Sequence, residues 1–121
     1  MTTPLNQKLT KAVVEAAGLS FVGVESGASC LRALHSLSPD LILLDIMMPG
    51  MDGFETCRRI RAHFGGGGPR VVFLTARNLI EDLRRAIDLA GDDYLVKPVE
   101  ADVLRTRMLH WIKQGPRKAA A

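Results

Sequence analysis

Three residues of this chain have side chains whose chemistry would combine. Asp45 follows the apolar run Leu41-Ile42-Leu43-Leu44, Thr75 follows Val71-Val72-Phe73-Leu74, and Lys97 follows Tyr94-Leu95-Val96. A carboxylate can serve as base, metal ligand or nucleophile. A hydroxyl can donate a hydrogen bond to a developing oxyanion, and an ammonium can neutralise it. If the three apolar runs are parallel strands of one sheet, their C-terminal ends meet along one edge, where ligands gather in open α/β sheets. The trio then suits phosphoryl transfer to Asp45. Taken singly, each residue has an ordinary reading: Asp45 as a loop or cap residue, Thr75 as a strand end, Lys97 as a solvated charge.

The elements that would position these residues alternate along the chain. Leu41 to Leu44 has no polar face, so it reads as a strand covered on both sides, the habit of parallel sheets. Pro49, Gly50 and Gly53 break the chain after Asp45. Thr3-Pro4 reads as a helix start, and Leu5, Leu9, Ala12, Val13 and Ala16 recur at helical spacing until Gly18. Residues 19–24 read as a short strand and 26–37 as an amphipathic helix. Phe54, Cys57, Ile60 and Phe64 mark a third helix, and 65–68 is a run of four glycines that reads as a flexible connection rather than a phosphate-binding loop. Strand 70–74 follows, then a helix striped by Leu79, Leu83, Ala86, Ile87 and Ala90. Strand 94–96 leads to a last helix carrying Leu104, Met108, Trp111 and Ile112, and 115–121 reads as a frayed tail. The alternation predicts a parallel sheet with helices on both faces, and it begins, unusually, with a helix.

Composition narrows the function class. The chain has 121 residues, 47% hydrophobic and 24% charged, which fits one domain. Cys30 and Cys57 are too separated for a zinc motif or a disulfide framework, and a reducing cytoplasm fits them best. No apolar run reaches the ~18 residues of a membrane span, and Met1-Thr2-Thr3-Pro4 lacks the features of a signal peptide. The net charge is +3, but its basic residues are scattered apart from the tail and the Arg58, Arg59, Arg61 group, so nucleic acid is not an expected partner. His35, His63 and His110 share no metal-binding spacing.

The segments Asp45-Ile46-Met47-Met48-Pro49-Gly50-Met51-Asp52-Gly53, Leu74-Thr75-Ala76 and Asp92-Asp93-Tyr94-Leu95-Val96-Lys97-Pro98 together closely resemble the receiver domain of two-component response regulators, over about residues 4–112. The resemblance implies a flavodoxin-like α/β fold and a single domain spanning 1–121. It implies Asp45 as phosphoacceptor, Thr75 as switch hydroxyl, Lys97 as the cation pairing with the phosphoryl group, and Tyr94 as an aromatic switch. Pro49 and Gly53 would shape the loop, Pro98 would follow a cis bond, and Asp45 with the backbone carbonyl of Met47 would contribute to a Mg²⁺ site. Asp52 is expected to cap the next helix, and Asp92 and Asp93 lie at the opposite end of their strand from Lys97.

One departure is large. Receivers open with an apolar strand ending in two adjacent acids that hold Mg²⁺, whereas here Met1, Thr2 and Thr3 precede the first helix. The first strand and the acidic pair are both missing, which predicts a weak or absent Mg²⁺ site and impaired phosphorylation. It also predicts a gap in the middle of the sheet. Either the flanking strands close up into a four-stranded sheet, or a partner or second copy fills the space. The leading expectation is a non-enzymatic, cytoplasmic signalling domain taking a phosphoryl group from a histidine kinase or phosphotransfer protein and acting on a downstream protein target. The alternative is a phosphorylation-independent pseudo-receiver that works as an interaction or dimerisation module. A hydrolase using Asp45 as nucleophile lacks a visible second acid. A longer product carrying the strand and acids upstream of Met1 is a further expectation.

Overall fold

The computed structural model describes residues 1–2 and 7–119; the helix start expected at Thr3-Pro4 and the first helical residue Leu5 lie outside them. The elements run α1 (Gln7–Ala16), α2 (Gly27–Ala33), β1 (Leu41–Asp45), α3 (Gly53–His63), β2 (Arg70–Thr75), α4 (Ile80–Asp88), β3 (Asp93–Val96) and α5 (Ala101–Gln114). The strands form one parallel sheet in the order β1-β2-β3.

Strand periodicity splits the core in two. Ile42 and Leu44 of β1, with Val71 and Phe73 of β2, point to one face and pack against Cys30 and Leu34 on the α2 side, Phe54, Cys57 and Ile60 of α3, and Ala86 of α4. Leu41, Leu43, Val72, Leu74 and Leu95 point to the other face, against Val13 and Val14 of α1 and Leu104 and Met108 of α5. Every residue of β1 is buried, as a strand covered on both sides requires. No helix of the described residues is long and apolar enough to cross a membrane.

The expected fourth strand is reduced to a bridge. Residues 19–24 form no regular strand. Thr2 makes parallel bridges to both Gly23 and Leu43 and so stands between them. The Thr2 amide donates to the Val22 carbonyl at 3.0 Å, the Val24 amide donates to the Thr2 carbonyl at 2.9 Å, and the Leu43 amide donates to the Met1 carbonyl at 2.7 Å. Among the described residues the sheet therefore has three strands rather than the four expected, with 19–24 joined to β1 through Met1 and Thr2.

Two further details differ from the sequence expectation. Arg117, in the stretch that reads as frayed, exchanges two backbone hydrogen bonds with Gly68, at 2.9 and 2.8 Å. The glycine run is also a contact surface: a Cβ on Gly67 would lie 2.4 Å from the Arg117 carbonyl oxygen, so only glycine lets these backbones approach.

Candidate functional site

Sheet register assembles the three residues singled out by type. Asp45 ends β1 opposite Leu74, the residue before Thr75, and Thr75 ends β2 opposite Val96, the residue before Lys97. The Lys97 amide donates to the Thr75 carbonyl at 2.7 Å, extending the ladder by one residue. Asp45, Thr75 and Lys97 thus stand in order along the C-terminal edge of the sheet. The Lys97–Pro98 bond is cis.

The loop after β1 folds back onto Asp45. The Gly53 amide donates to the Ile46 carbonyl at 2.9 Å. A Cβ on Gly53 would lie 2.4 Å from the Asp45 carbonyl oxygen and 2.7 Å from the Ile46 Cα, so glycine is needed for this close approach. Gly50 turns the loop at φ +76°, just after Pro49. Asp52 caps α3, its Oδ1 accepting from the Glu55 amide at 2.9 Å. The Met47 amide donates to Asp45 Oδ1 at 3.0 Å, which fixes the carboxylate, while the Met47 side chain is exposed.

Burial and charge act against each other here. Asp45 is 6% exposed. Desolvation raises its pKa above the ordinary 3.8, with the Met47 amide and the Lys97 charge opposing that shift. Desolvation likewise lowers the Lys97 pKa below its usual value, with Asp45 opposing. Acid and amine therefore feel each other across the sheet edge.

Thr75 is fully buried, and its Oγ accepts a hydrogen bond from the Arg77 amide at 3.0 Å. The Tyr94 hydroxyl donates to the Arg77 carbonyl at 2.9 Å. Thr75 and Tyr94 are thus tied to the same residue. Arg77 also pairs with the buried Asp82 at 2.8 Å. The sequence reading passed over Arg77 and Asp82; the position of Arg77 two residues after a strand-end threonine, where an amide can reach that hydroxyl, is the signal that could have found Arg77.

Asp92 and Asp93 lie at the other end of β3, far from this rim along the strand. Asp92 binds Arg61 at 2.9 Å, Arg70 at 2.9 Å and Arg117 at 3.1 Å. Asp93 receives Arg107 and the Trp111 indole N–H, so Trp111 is more than an apolar core residue.

The described residues bring few metal donors to the rim. Among the described residues no three His, Cys, Asp or Glu side chains gather as a metal cluster. The central-strand position beside Leu43 is held by Thr2, whose carbonyl already accepts from Val24. Asp45 supplies one carboxylate toward the near-octahedral oxygen set that Mg²⁺ takes.

Comparison with known proteins finds clear relatives. A family model described as "Response regulator receiver domain" matches residues 2–109. The transcriptional regulatory protein AfsQ1 of Streptomyces coelicolor is 43% identical over 94 residues, covering 78% of this chain and 40% of that protein. The sensor histidine kinase GacS of Pseudomonas protegens is 31% identical over 125 residues, 97% of this chain and 14% of that one. The chain thus spans less than half the length of these relatives. Among solved structures, a CheY-like receiver domain protein from Methanospirillum hungatei superposes with a TM-score of 0.85 at 19% identity, covering 93% and 91% of the two chains. The receiver domain of sensor histidine kinase PA1611 from Pseudomonas aeruginosa, with magnesium in its active site cleft, gives 0.79 at 27% identity, covering 93% and 95%.

Proposed function

Because the chain belongs to the response regulator receiver family, we propose that Asp45 accepts a phosphoryl group from a histidine kinase or phosphotransfer protein, and that Thr75, Lys97 and Tyr94 read the result. The observation that supports this is the shared rim: β1, β2 and β3 end side by side on Asp45, Thr75 and Lys97.

In the transfer, an Asp45 carboxylate oxygen attacks phosphorus, the phosphorus–nitrogen bond of the donor phosphohistidine breaks, and the leaving imidazole takes a proton from water. The Met47 amide orients the carboxylate, and the Lys97 ammonium and Thr75 hydroxyl stabilise charge on the phosphoryl oxygens. The acyl phosphate brings about −1.5 to −2 charge to the rim. Drawing the Thr75 hydroxyl toward it releases the Arg77 amide, and Tyr94 feels the change through the Arg77 carbonyl. The responding surface is the face of α4, where Ile80, Leu83 and Ile87 are exposed and suit a downstream protein target or a second copy. With Asp45 the one carboxylate that the described residues bring to this strand edge, the transfer is slow and draws little help from Mg²⁺.

Incubation with acetyl phosphate followed by intact mass measurement tests this. A gain of one phosphoryl group is expected, abolished by Asp45→Asn and little altered by a chelator. A second reading is favoured by the absence of a metal-binding cluster among the described residues: a pseudo-receiver that acts through contacts without phosphorylation. No mass gain at saturating donor would select it.

A further inference from the structure

The N-terminal ends of β2 and β3 carry more positive charge than their carboxylates neutralise. Arg61, Arg70 and Arg117 all pair with the one carboxylate of Asp92, which leaves that cluster with an excess of two positive charges. Neighbouring acids do not make up the difference. Asp93 is taken up by Arg107 and the Trp111 indole, and Asp40, at the start of β1, gives the Arg70 amide its carbonyl and no ion pair. Lys118, next to Arg117, adds to the excess.

Two of the three arginines remain open to solvent. The Arg61 side chain is 6% exposed and spends its nitrogens on Asp92 and on the carbonyls of Gly67, Pro69 and Ala90. The side chains of Arg70 and Arg117 are 17% and 37% exposed. They meet on a single atom: Asp92 Oδ1 accepts from Arg70 Nη1 at 2.9 Å and from Arg117 Nη1 at 3.1 Å. The two guanidinium groups are therefore neighbours, and among the described residues the Nη2 of each has no acceptor. Both are also held in place. Arg70 Nε donates to the Gly115 carbonyl at 2.8 Å and its guanidinium lies over the Trp111 ring, while the Arg117 backbone exchanges two hydrogen bonds with Gly68. Adjacent guanidinium forks with unspent donors suit the oxygens of a phosphate group, and fixing them beforehand lowers the cost of ordering them on binding.

We propose that Arg70 and Arg117 form a binding site for a phosphate dianion, free or carried as a monoester on a small molecule. The two negative charges of the ligand match the excess of the cluster. A phosphate held by both arginines ties residues 115–118 to the start of β2, so occupancy stabilises the domain and the docked C-terminal stretch with it. The site lies at the opposite end of the sheet from Asp45 and Lys97, and it acts without phosphoryl transfer.

Trp111, the one tryptophan of the chain, lies against Arg70 and so reports on the site. The test titrates the whole chain with inorganic phosphate at about pH 8, where the dianion prevails, following the Trp111 indole N–H resonance at constant ionic strength. A saturable shift with a midpoint of about 1 mM is expected. The thermal midpoint should rise with phosphate and not with sodium chloride of equal ionic strength. Glycerol phosphate in a parallel titration separates the two sources: binding at least as tight as that of inorganic phosphate assigns the site to a monoester, and weaker binding assigns it to the free ion. Arg117→Gln leaves Asp92 its two other arginines and keeps the backbone bonds to Gly68, so the circular dichroism spectrum should stay native while phosphate binds about tenfold more weakly, the loss of one charge-assisted hydrogen bond. Arg117→Lys, which keeps the charge and loses the fork, should fall between the two. Lys97→Gln should bind phosphate as the unaltered chain does. A response that never saturates overturns the proposal, as does equal affinity in Arg117→Gln. Loss of binding in Lys97→Gln overturns it as well, since the phosphate then sits at the phosphoacceptor rim. So does binding of a single-stranded oligonucleotide when neither inorganic phosphate nor glycerol phosphate binds.

Discussion

The two ends of the sheet handle a buried carboxylate in opposite ways. At the N-terminal ends of β2 and β3, Asp92 has a side chain 1% exposed and ion pairs to Arg61, Arg70 and Arg117, and its Oδ2 also accepts the Val71 amide. Arg61 in turn reaches the carbonyls of Gly67, Pro69 and Ala90. That end ties together α3, the glycine run, β2, β3 and the C-terminal stretch. At the C-terminal ends, Asp45 meets the Met47 amide and the charge of Lys97, and burial pushes both ionisable groups toward their neutral forms. One end is arranged for stability. The other holds a carboxylate at an electrostatic disadvantage, as sites of chemistry often do.

The contrast is sharpest in the sign of two substitutions. Asp92→Ala leaves the 6% exposed side chain of Arg61 without its carboxylate, and should lose about 3–5 kcal/mol in chemical denaturation. A loss below about 1 kcal/mol would mean the arginine cluster contributes little. Gly53→Ala comes next, because its Cβ would press on the backbone of Asp45 and Ile46. Overpacking of this kind costs about 1–3 kcal/mol, and acetyl phosphate labelling should fall with it.

Asp45→Asn should act in the other direction. The Asp45 pKa lies above 3.8 in the fold, so stability linked to this group is complete below pH 3.8 and is lost as pH rises through the raised value. Asparagine, which never ionises, should raise the thermal midpoint by about 2–5 °C at pH 7 and leave it unchanged near pH 3. A variant less stable than the parent at pH 7 would place Asp45 with Asp92 as a structural acid. The smallest effect belongs to Tyr94→Phe, which removes the hydroxyl bond to Arg77 and should lose about 1 kcal/mol or less by thermal unfolding.

The alternation of apolar runs with helical stripes was enough to read a parallel α/β sheet, and residues placed immediately after those runs marked the rim. Asp52 as a helix cap and Gly53 as a loop-shaping residue were also legible, since each acts on neighbours within a few positions. The role of Asp92 was not. Its arginines come from 22 to 31 positions away, and nothing local distinguishes a carboxylate that gathers them from a solvated one. The fate of 19–24 was hidden for a related reason: its composition is β-like, but a strand also needs a paired neighbour, and the described residues that pair with it are distant in sequence, Thr2 above all.

The sequence by itself determined which residues stand at strand ends, because strand and helix periods are local properties written in the order of side chains. Only the tertiary structure decided what lies beside β1, where Thr2 bridges Gly23 and Leu43. It alone decided the company of each carboxylate as well. Charges interact through space, and the distances between them are set by packing and not by position along the chain.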